Sequence, residues 1–364
     1  MTVAEVGTLL DTFAPLYYAE DFDNVGLLVG HKNKQVTGIL VTLDTLEEVV
    51  EEAITKKCNL IVSFHPIIFK GLKKLTGNTY VERVVMKAIA HDIAIFAIHT
   101  ALDNSYLGVN TKICEVLGIQ DPEILIPKKN TIKKLVTYVP KSAATDLRDA
   151  LFAVGAGNLG NYSHCSFNVE GQGSFQPEEN SKPTIGQKGI THFEDEIQLT
   201  ITFSASIEKR ILKVLFEIHP YEEVAYEVTT LDNVNQQIGM GMIGKLAHPK
   251  SEMDFLAMLK QRMNAEIVRH SPLLGKNIEK VAVLGGSGAF AIATARNAGA
   301  DIFVTADIKY HQFYEAENSM VIADIGHFET EQFTKNLLVD FLKEKIPNFA
   351  VTLSESITNP IKYF

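Results

Sequence analysis

Short apolar runs alternate with helically spaced ones along the first third of the chain. "VTGILVTLD" (Val36 to Asp44) predicts a strand, and "TLEEVVEEAITKKC" (Thr45 to Cys58) predicts an amphipathic helix. Thr45 stands where an N-cap belongs, with Glu48 three residues on, the pattern of a capping box. "NLIVSF" then predicts a strand, "YVERVVMKAIAHD" a helix and "IAIFAIHT" a strand. Strands separated by helical patterns imply βαβ units and a parallel sheet.

The last third repeats this rhythm. "KVAVLGG" (Lys280 to Gly286) predicts a strand, and "GAFAIATARNAG" a helix closed by Gly299. "ADIFVTAD" is a strand, "KYHQFYEAEN" helical or irregular, and "SMVIADIGH" a strand. The outer thirds align as internal copies. "NLIVSFHP" falls on "DIFVTADI", which sets His65 near Asp307. "AIHTALD" falls on "DIGHFETE", which sets His99 on His327 and Asp103 on Glu331. Each copy thus carries a histidine, three residues and an acid just past a strand.

From about Asn130 to Asn233 the texture changes. "TIKKLVTYVP" predicts a strand and "SAATDLRDALFAVGAG" a helix, followed by the polar stretch "GQGSFQPEENSKPTIGQKG". "EIQLTITFSA", "SIEKRILKVLFEIHP" and "EEVAYEVTTL" then predict strand, helix and strand. This βαββαβ-like order predicts a ferredoxin-like α+β domain, residues 130–233, inserted into an α/β core made of residues 1–129 and 234–364. The fold class expected is therefore α/β: a duplicated three-layer core with mainly parallel sheets, plus the insert.

Composition narrows the function. The chain has 364 residues, 46% hydrophobic and 21% charged, with a formal net charge of -10. An acidic chain lacks the basic face of a non-specific nucleic-acid binder, so nucleic acid is not expected as a partner. Cys58, Cys114 and Cys165 form no CxxC pair, which fits a reducing cytoplasm. No apolar run approaches the roughly 20 residues a membrane span needs. "MTVAEVGTLLDTFAP" has no basic leader and does not read as a signal peptide.

The candidate chemistry gathers where parallel strands end, the usual place for functional groups. "CNLIVSFHPIIFKG" delivers His65 at the tip of an apolar strand and stops on Pro66. Asp103, His327 and Glu331 take similar positions, with His99, Asp307 and His311 close behind. Imidazoles and carboxylates together suit zinc, iron or manganese. Each residue alone also suits a structural role: His99 and His327 as helix caps, Asp103 and Glu331 as first-turn acids favoured by the helix dipole. Both motifs plus His65 favour metal. The turn "GGSGAF" reads equally as a phosphate cradle at Gly285, Gly286 and Ser287 or as a tight strand-to-helix turn. In the insert, His219, Glu222 and Glu223, with His164, form either a polar rim or a second metal site.

These segments resemble, in this order, the NIF-three-like family, known as GTP cyclohydrolase I type 2 homologues. The matching stretches are "DNVGLLVG", "LIVSFHPIIFKGL", "AIHTALDN", "VAVLGGSGAF", "ADIFVTADIKYH" and "ADIGHFETE". They cover both outer thirds, and the middle resembles the PII-like or CutA-like insert of longer members. The resemblance implies a dinuclear metal cleft in a ring-shaped homohexamer, a trimer of dimers. Carried over by position, His65 and Asp103 hold one metal, His327 holds the other and Glu331 bridges them. One position departs. Members commonly have two histidines before the proline, and here the first is Phe64, which cannot ligate. One or two divalent ions per chain, zinc foremost, are the expected cofactors.

The function expected is a metal-dependent hydrolase acting on a nucleotide or related small molecule. His99 or His311 would shuttle protons, Asp307 would sit behind the ligands, and Gly285–Gly286 would hold phosphate. The alternatives are a metal-binding regulator or metal chaperone without robust turnover, and an assembly scaffold.

Overall fold

The computed structural model describes residues 1–364. The chain divides into two compact units, Met1–Pro127 with Gln236–Phe364, and Lys128–Asn235. It is a mixed α/β protein with three sheets. No helix is long and apolar enough to cross a membrane.

The larger unit holds two of the sheets. The first is ordered Gly26–Val29, Ala94–Ala97, Leu60–Ser63, Ile39–Thr42, Val351–Leu353. Its first pairing is antiparallel and the others are parallel. The second is ordered Arg269–His270, Val321–Asp324, Ile302–Ala306, Asn277–Ser287, Gly239–Ser251, Ile119–Pro127. Here only the three central strands run parallel; both flanks are antiparallel, so this sheet departs from the mainly parallel expectation. The reason lies in the strands that leave for the smaller unit, Lys128–Asn235, and return from it. Ile119–Pro127 and Gly239–Ser251 pair antiparallel, with Gly239 opposite Pro127. Prolines 122 and 127 and a run of glycines disguise both as loops in the sequence.

Alternation along the strands explains their unbroken apolar character. Val41, Val62, Val283 and Val304 share one core with the helices Val3–Phe13, Val109–Leu117, Glu252–Arg262 and Thr334–Lys345. Leu40, Ile61 and Ile95 face the other way, onto the helices Glu47–Thr55 and Tyr80–Ala90. Ala282, Phe303 and Ile322 likewise pack on Ile292 and Ala295. A strand covered on both faces has no polar side to reveal.

One predicted cap fails. The helix after the second strand begins at Glu47, its N-cap position is Leu46, and no side chain caps it. Thr45 Oγ1 is buried without a hydrogen bond. Glu47 and Glu48 in the first turn supply the negative charge that the helix N-terminus favours.

The smaller unit is a four-stranded antiparallel sheet, ordered Ser166–Phe175, His192–Ser204, Ile132–Pro140, Tyr226–Thr230. The helices Ala144–Ala153 and Glu208–Ile218 pack on it through Leu147, Leu151, Ile211 and Leu215. Strand Ser166–Phe175 runs into the stretch read as a polar loop. It pairs along its whole length, from Ser166 opposite Ile201 to Phe175 opposite His192. Its side chains are largely exposed, so backbone bonding holds it and no apolar alternation announces it.

Candidate metal centre

The strand Leu60–Ser63 does not release the chain at its end. Phe64 N donates to Thr42 O at 3.1 Å, His65 N to Leu43 O at 2.9 Å, and His99 N to Phe64 O at 2.9 Å. The strand alternation therefore persists two residues further. Phe64 is 0% exposed and joins the core. His65 turns toward Asp44 and Glu331, and Pro66 follows where no further ladder donor is required.

His65 meets residues from the far half of the unit. Its Nε2 lies 3.1 Å from Glu331 Oε2, and His327 Nε2 lies 3.2 Å from the same oxygen. His327 and Glu331 open and close the short helix His327–Glu331, which follows the strand Val321–Asp324. The ligand atoms of His65, His327 and Glu331 all lie within 4.8 Å of one another.

Behind each imidazole stands a carboxylate. Asp44 Oδ1 is 2.8 Å from His65 Nδ1, and Asp307 Oδ2 is 2.7 Å from His327 Nδ1. Asp23 Oδ1 is 2.9 Å from His99 Nδ1. His99 lies beside His65, with ring centroids 5.1 Å apart. Asp23 is further held by Thr100, and Asp44 accepts the Thr358 hydroxyl at 2.7 Å. A carboxylate on Nδ1 fixes the ring and leaves Nε2 as the outward donor atom.

The electrostatics centre on Glu331. Burial opposes its charge, but the His327 and His65 imidazoles outweigh burial and hold its pKa near 2. Burial likewise pulls both imidazoles down. Asp44 and Glu331 lift His65 to about 10, and Glu331 and Asp307 lift His327 to about 9. Asp103 lacks such partners, so burial and the Glu331 charge push its carboxyl well up.

These residues fit a divalent ion. Glu331 Oε2 and Asp103 Oδ1 are buried and take no hydrogen bond. For Glu331 the distances to both Nε2 atoms are short enough, so the contacts fail on direction: the ring N–H groups do not point along them. Two imidazole nitrogens and a carboxylate oxygen, with a second buried carboxylate nearby, make a donor set suited to zinc, iron or manganese.

The glycine turn has a different role from phosphate binding. Gly285 N donates to Asn110 Oδ1 at 3.0 Å and Gly286 N to Thr330 Oγ1 at 2.9 Å, so neither N–H is left for an anion. The Ser287 hydroxyl donates to Asp307 Oδ2. A Cβ on Gly286, whose φ is +68°, would stand 2.4 Å from Glu331 Oε1. The turn makes room for the carboxylate.

The predicted residues divide as follows. His65, His327 and Glu331 converge. Asp103 and His99 line a cleft of about 240 Å³ with His327, Glu331, Phe22 and Phe290. Asp307 supports His327 from behind. His311 is exposed on the 3₁₀ helix Tyr310–Ala316, with Tyr310 and Tyr314 as its ring neighbours, and gains no contact that would let it shuttle protons to the cluster. In the smaller unit, His219 Nε2 bonds Tyr138 O at 3.0 Å and its Nδ1 accepts from Tyr221 N at 3.2 Å. His164 stacks on Phe152. With both His219 nitrogens engaged, the second metal site is not formed. Asp44 and Asp23 were missed as functional groups. Both had a signal, Asp44 as the polar end of an apolar run and Asp23 as the acid opening "DNVGLLVG".

The model of the family Duf34/NIF3 (NGG1p interacting factor 3) matches residues 1–360. A Bacillus subtilis (strain 168) protein named GTP cyclohydrolase 1 type 2 homolog is 36% identical over 360 residues, 98% of this chain and 96% of that protein. The crystal structure of a Bacillus cereus protein related to NIF3 is similar at 36% identity and a TM-score of 0.85, covering 100% of this chain and 99% of that one. A Staphylococcus aureus protein structure is similar at 32% identity and a TM-score of 0.81, with 100% and 99% coverage.

Proposed function

The chain belongs to the Duf34/NIF3 family, and from that premise we propose that it binds divalent metal, zinc foremost, through His65, His327, Glu331 and Asp103 and hydrolyses a nucleotide or related small molecule. The observation that carries this is the convergence of two imidazole Nε2 atoms on one buried carboxylate oxygen. A bound divalent ion would lower the pKa of water and polarise the bond under attack. Asp44 and Asp307 hold the two ligand rings in place. His99, held by Asp23 at the cleft wall, is the group positioned to take or give a proton. Phe22 and Phe290 give the cleft apolar walls. Its volume, about 240 Å³, lies below the range usual for a whole drug-sized ligand and suits the reacting part of a substrate. A guanine nucleotide is the substrate suggested by the relatives' name.

The proposal includes a duplicated core, an inserted ferredoxin-like domain and a homohexamer. The duplication is supported by the five-residue helices His99–Asp103 and His327–Glu331, each following a parallel strand. The insert assignment is supported by its strand–helix–strand–strand–helix–strand order. The homohexamer rests on the family resemblance, and its mass in solution tests it.

Phe64 favours a second reading, a metal-binding regulator without robust turnover. It takes a position where relatives commonly carry a histidine, and it is fully buried as a hydrophobe. Metal content by plasma mass spectrometry, followed by a turnover screen of the metal-loaded protein on GTP and phosphoesters, separates the readings. Metal lost in His65→Ala together with turnover supports the hydrolase. Metal without turnover leaves the regulator, and no metal after incubation with zinc, iron or manganese sinks both.

A further inference from the structure

The insert contains a cavity of about 620 Å³, within the size range of small-molecule sites. Its lining comes from strand Ser166–Phe175, the segment that follows it, the neighbouring strands at Tyr138, Glu196 and Gln198, and the loop that begins at Tyr221. The segment after the strand is tied down over the site. Lys182 N donates to Glu222 Oε2 at 2.6 Å, and Thr184 Oγ1 donates to Pro220 O at 2.7 Å.

The lining has one sign of charge. Glu178, Glu196, Glu222 and Glu223 face the cavity, and no lysine, arginine or histidine does. Glu178, Glu222 and Glu223 are exposed, whereas Glu196 is only 8% exposed. The partner of Glu196 is a neutral phenol: Tyr221 O–H donates to its Oε1 at 2.8 Å. No protein group donates to its other oxygen, Oε2, which is open to the cavity rather than fully buried. That oxygen lies against Gly173, where an added Cβ would come within 2.1 Å of it. A glycine is thus placed where any side chain would displace the carboxylate. Aromatic faces complete the wall. Tyr138, Phe175 and Tyr221 line the cavity, the last two with centroids 5.7 Å apart.

We propose that this cavity binds a small organic cation, an aliphatic amine carrying more than one ammonium group. A buried carboxylate with a neutral partner is costly unless a positive charge answers it. Ring faces attract ammonium groups, most strongly where water is excluded. The same carboxylates repel phosphate, so a nucleotide is disfavoured here. A single metal ion is disfavoured too, because the insert's carboxylates do not converge as His65, His327 and Glu331 do. One buried acid and three exposed ones suit separated ammonium groups instead.

Calorimetric titration of the full-length protein with spermidine tests this, with 1,8-octanediol and inorganic phosphate as controls. The expected result is saturable binding of about one spermidine per chain and none of either control. Glu196→Gln should weaken binding at least tenfold with an unchanged circular dichroism spectrum. Glu222→Gln combined with Glu223→Gln, on the exposed side, should weaken it severalfold and guards against misfolding of the buried variant. No saturable spermidine binding, equal binding by both variants, or binding of phosphate instead would overturn the proposal. So would a second copy of the chain that covers the cavity and excludes spermidine, seen as protection of Tyr221–Ala225 in hydrogen exchange that rises with protein concentration.

Discussion

His65 Nε2 and Glu331 Oε2 lie 3.1 Å apart, although one residue follows a strand of the first sheet and the other closes a helix beside the second. Neither sheet alone can assemble this pair. The candidate centre therefore reports on the packing of the two sheets, and changes to it should be felt in stability as well as in metal retention.

Removing either partner should empty the centre. His65→Ala deletes one donor, and Glu331→Gln deletes the charge that both imidazoles face. Affinity for zinc should fall by more than about 100-fold in each, beyond the effect typical of an outer residue. Competition with a chromogenic chelator measures this. Retention of wild-type affinity in both would remove the metal reading.

The supporting carboxylates should matter less, but measurably. Asp44→Asn keeps the shape and the contact with Thr358 while weakening the hold on His65 Nδ1. About a 10- to 100-fold loss of metal affinity is expected, with the far-ultraviolet circular dichroism unchanged. Asp307→Asn should behave alike through His327.

Much of the centre was legible in the sequence because parallel strands deliver their chemistry at their ends. His65, His327 and Glu331 each sit within a few residues of an apolar run, and the repeated histidine-and-acid motif together with His65 points to them. Asp44 and Asp23 were harder to see because their roles depend on a neighbouring strand or loop, and no local pattern records which ring an acid will touch. The same limit hid the antiparallel flanks of the second sheet. Pro122 and Gly239 argue locally against strands, and pairing across the sheet overrides them. The glycine turn misled for the opposite reason. Its sequence reports spare N–H groups, and only the fold brings Asn110 and Thr330 to occupy them.

Phe64→His tests the departure from the family pattern. The Phe64 ring lies 4.9 Å from the His65 ring and 5.5 Å from the His99 ring, centroid to centroid, so an imidazole there would stand beside the cluster. It also gives up apolar burial. The metal-free variant should lose about 2–4 kcal/mol of stability. Zinc should restore much of it and raise the bound stoichiometry. Thermal melts with and without zinc, beside metal content, read both effects.

Gly286→Ala should damage the centre without removing a ligand. The residue needs φ of +68°, and the new Cβ would press on Glu331 Oε1. Backbone strain alone costs about 1–2 kcal/mol. Displacement of Glu331 should add a loss of zinc affinity, whereas Gly275→Ala, at φ of +71° with open space around it, should show the strain alone.

The last prediction concerns pH and lies away from the centre. Glu52 fastens the C-terminal segment, accepting from Ser354 Oγ at 2.7 Å, Glu355 N at 2.9 Å and Ser356 Oγ at 2.7 Å, with Lys56 Nζ at 2.7 Å. Its side chain is 10% exposed. Burial opposes the charge, but the Lys56 contact and the bonds from Glu355, Ser354 and Ser356 outweigh it and lower the pKa from 4.5 to about 2. A carboxylate depressed on folding stabilises the protein above its unfolded pKa and loses that contribution as pH falls through the folded value. Wild type should thus exceed Glu52→Gln by about 1.5–3 kcal/mol at pH 7. The gap should narrow below pH 4.5 and close near pH 2. Urea unfolding of both proteins across that range measures it, and a gap independent of pH would assign the effect to shape rather than charge.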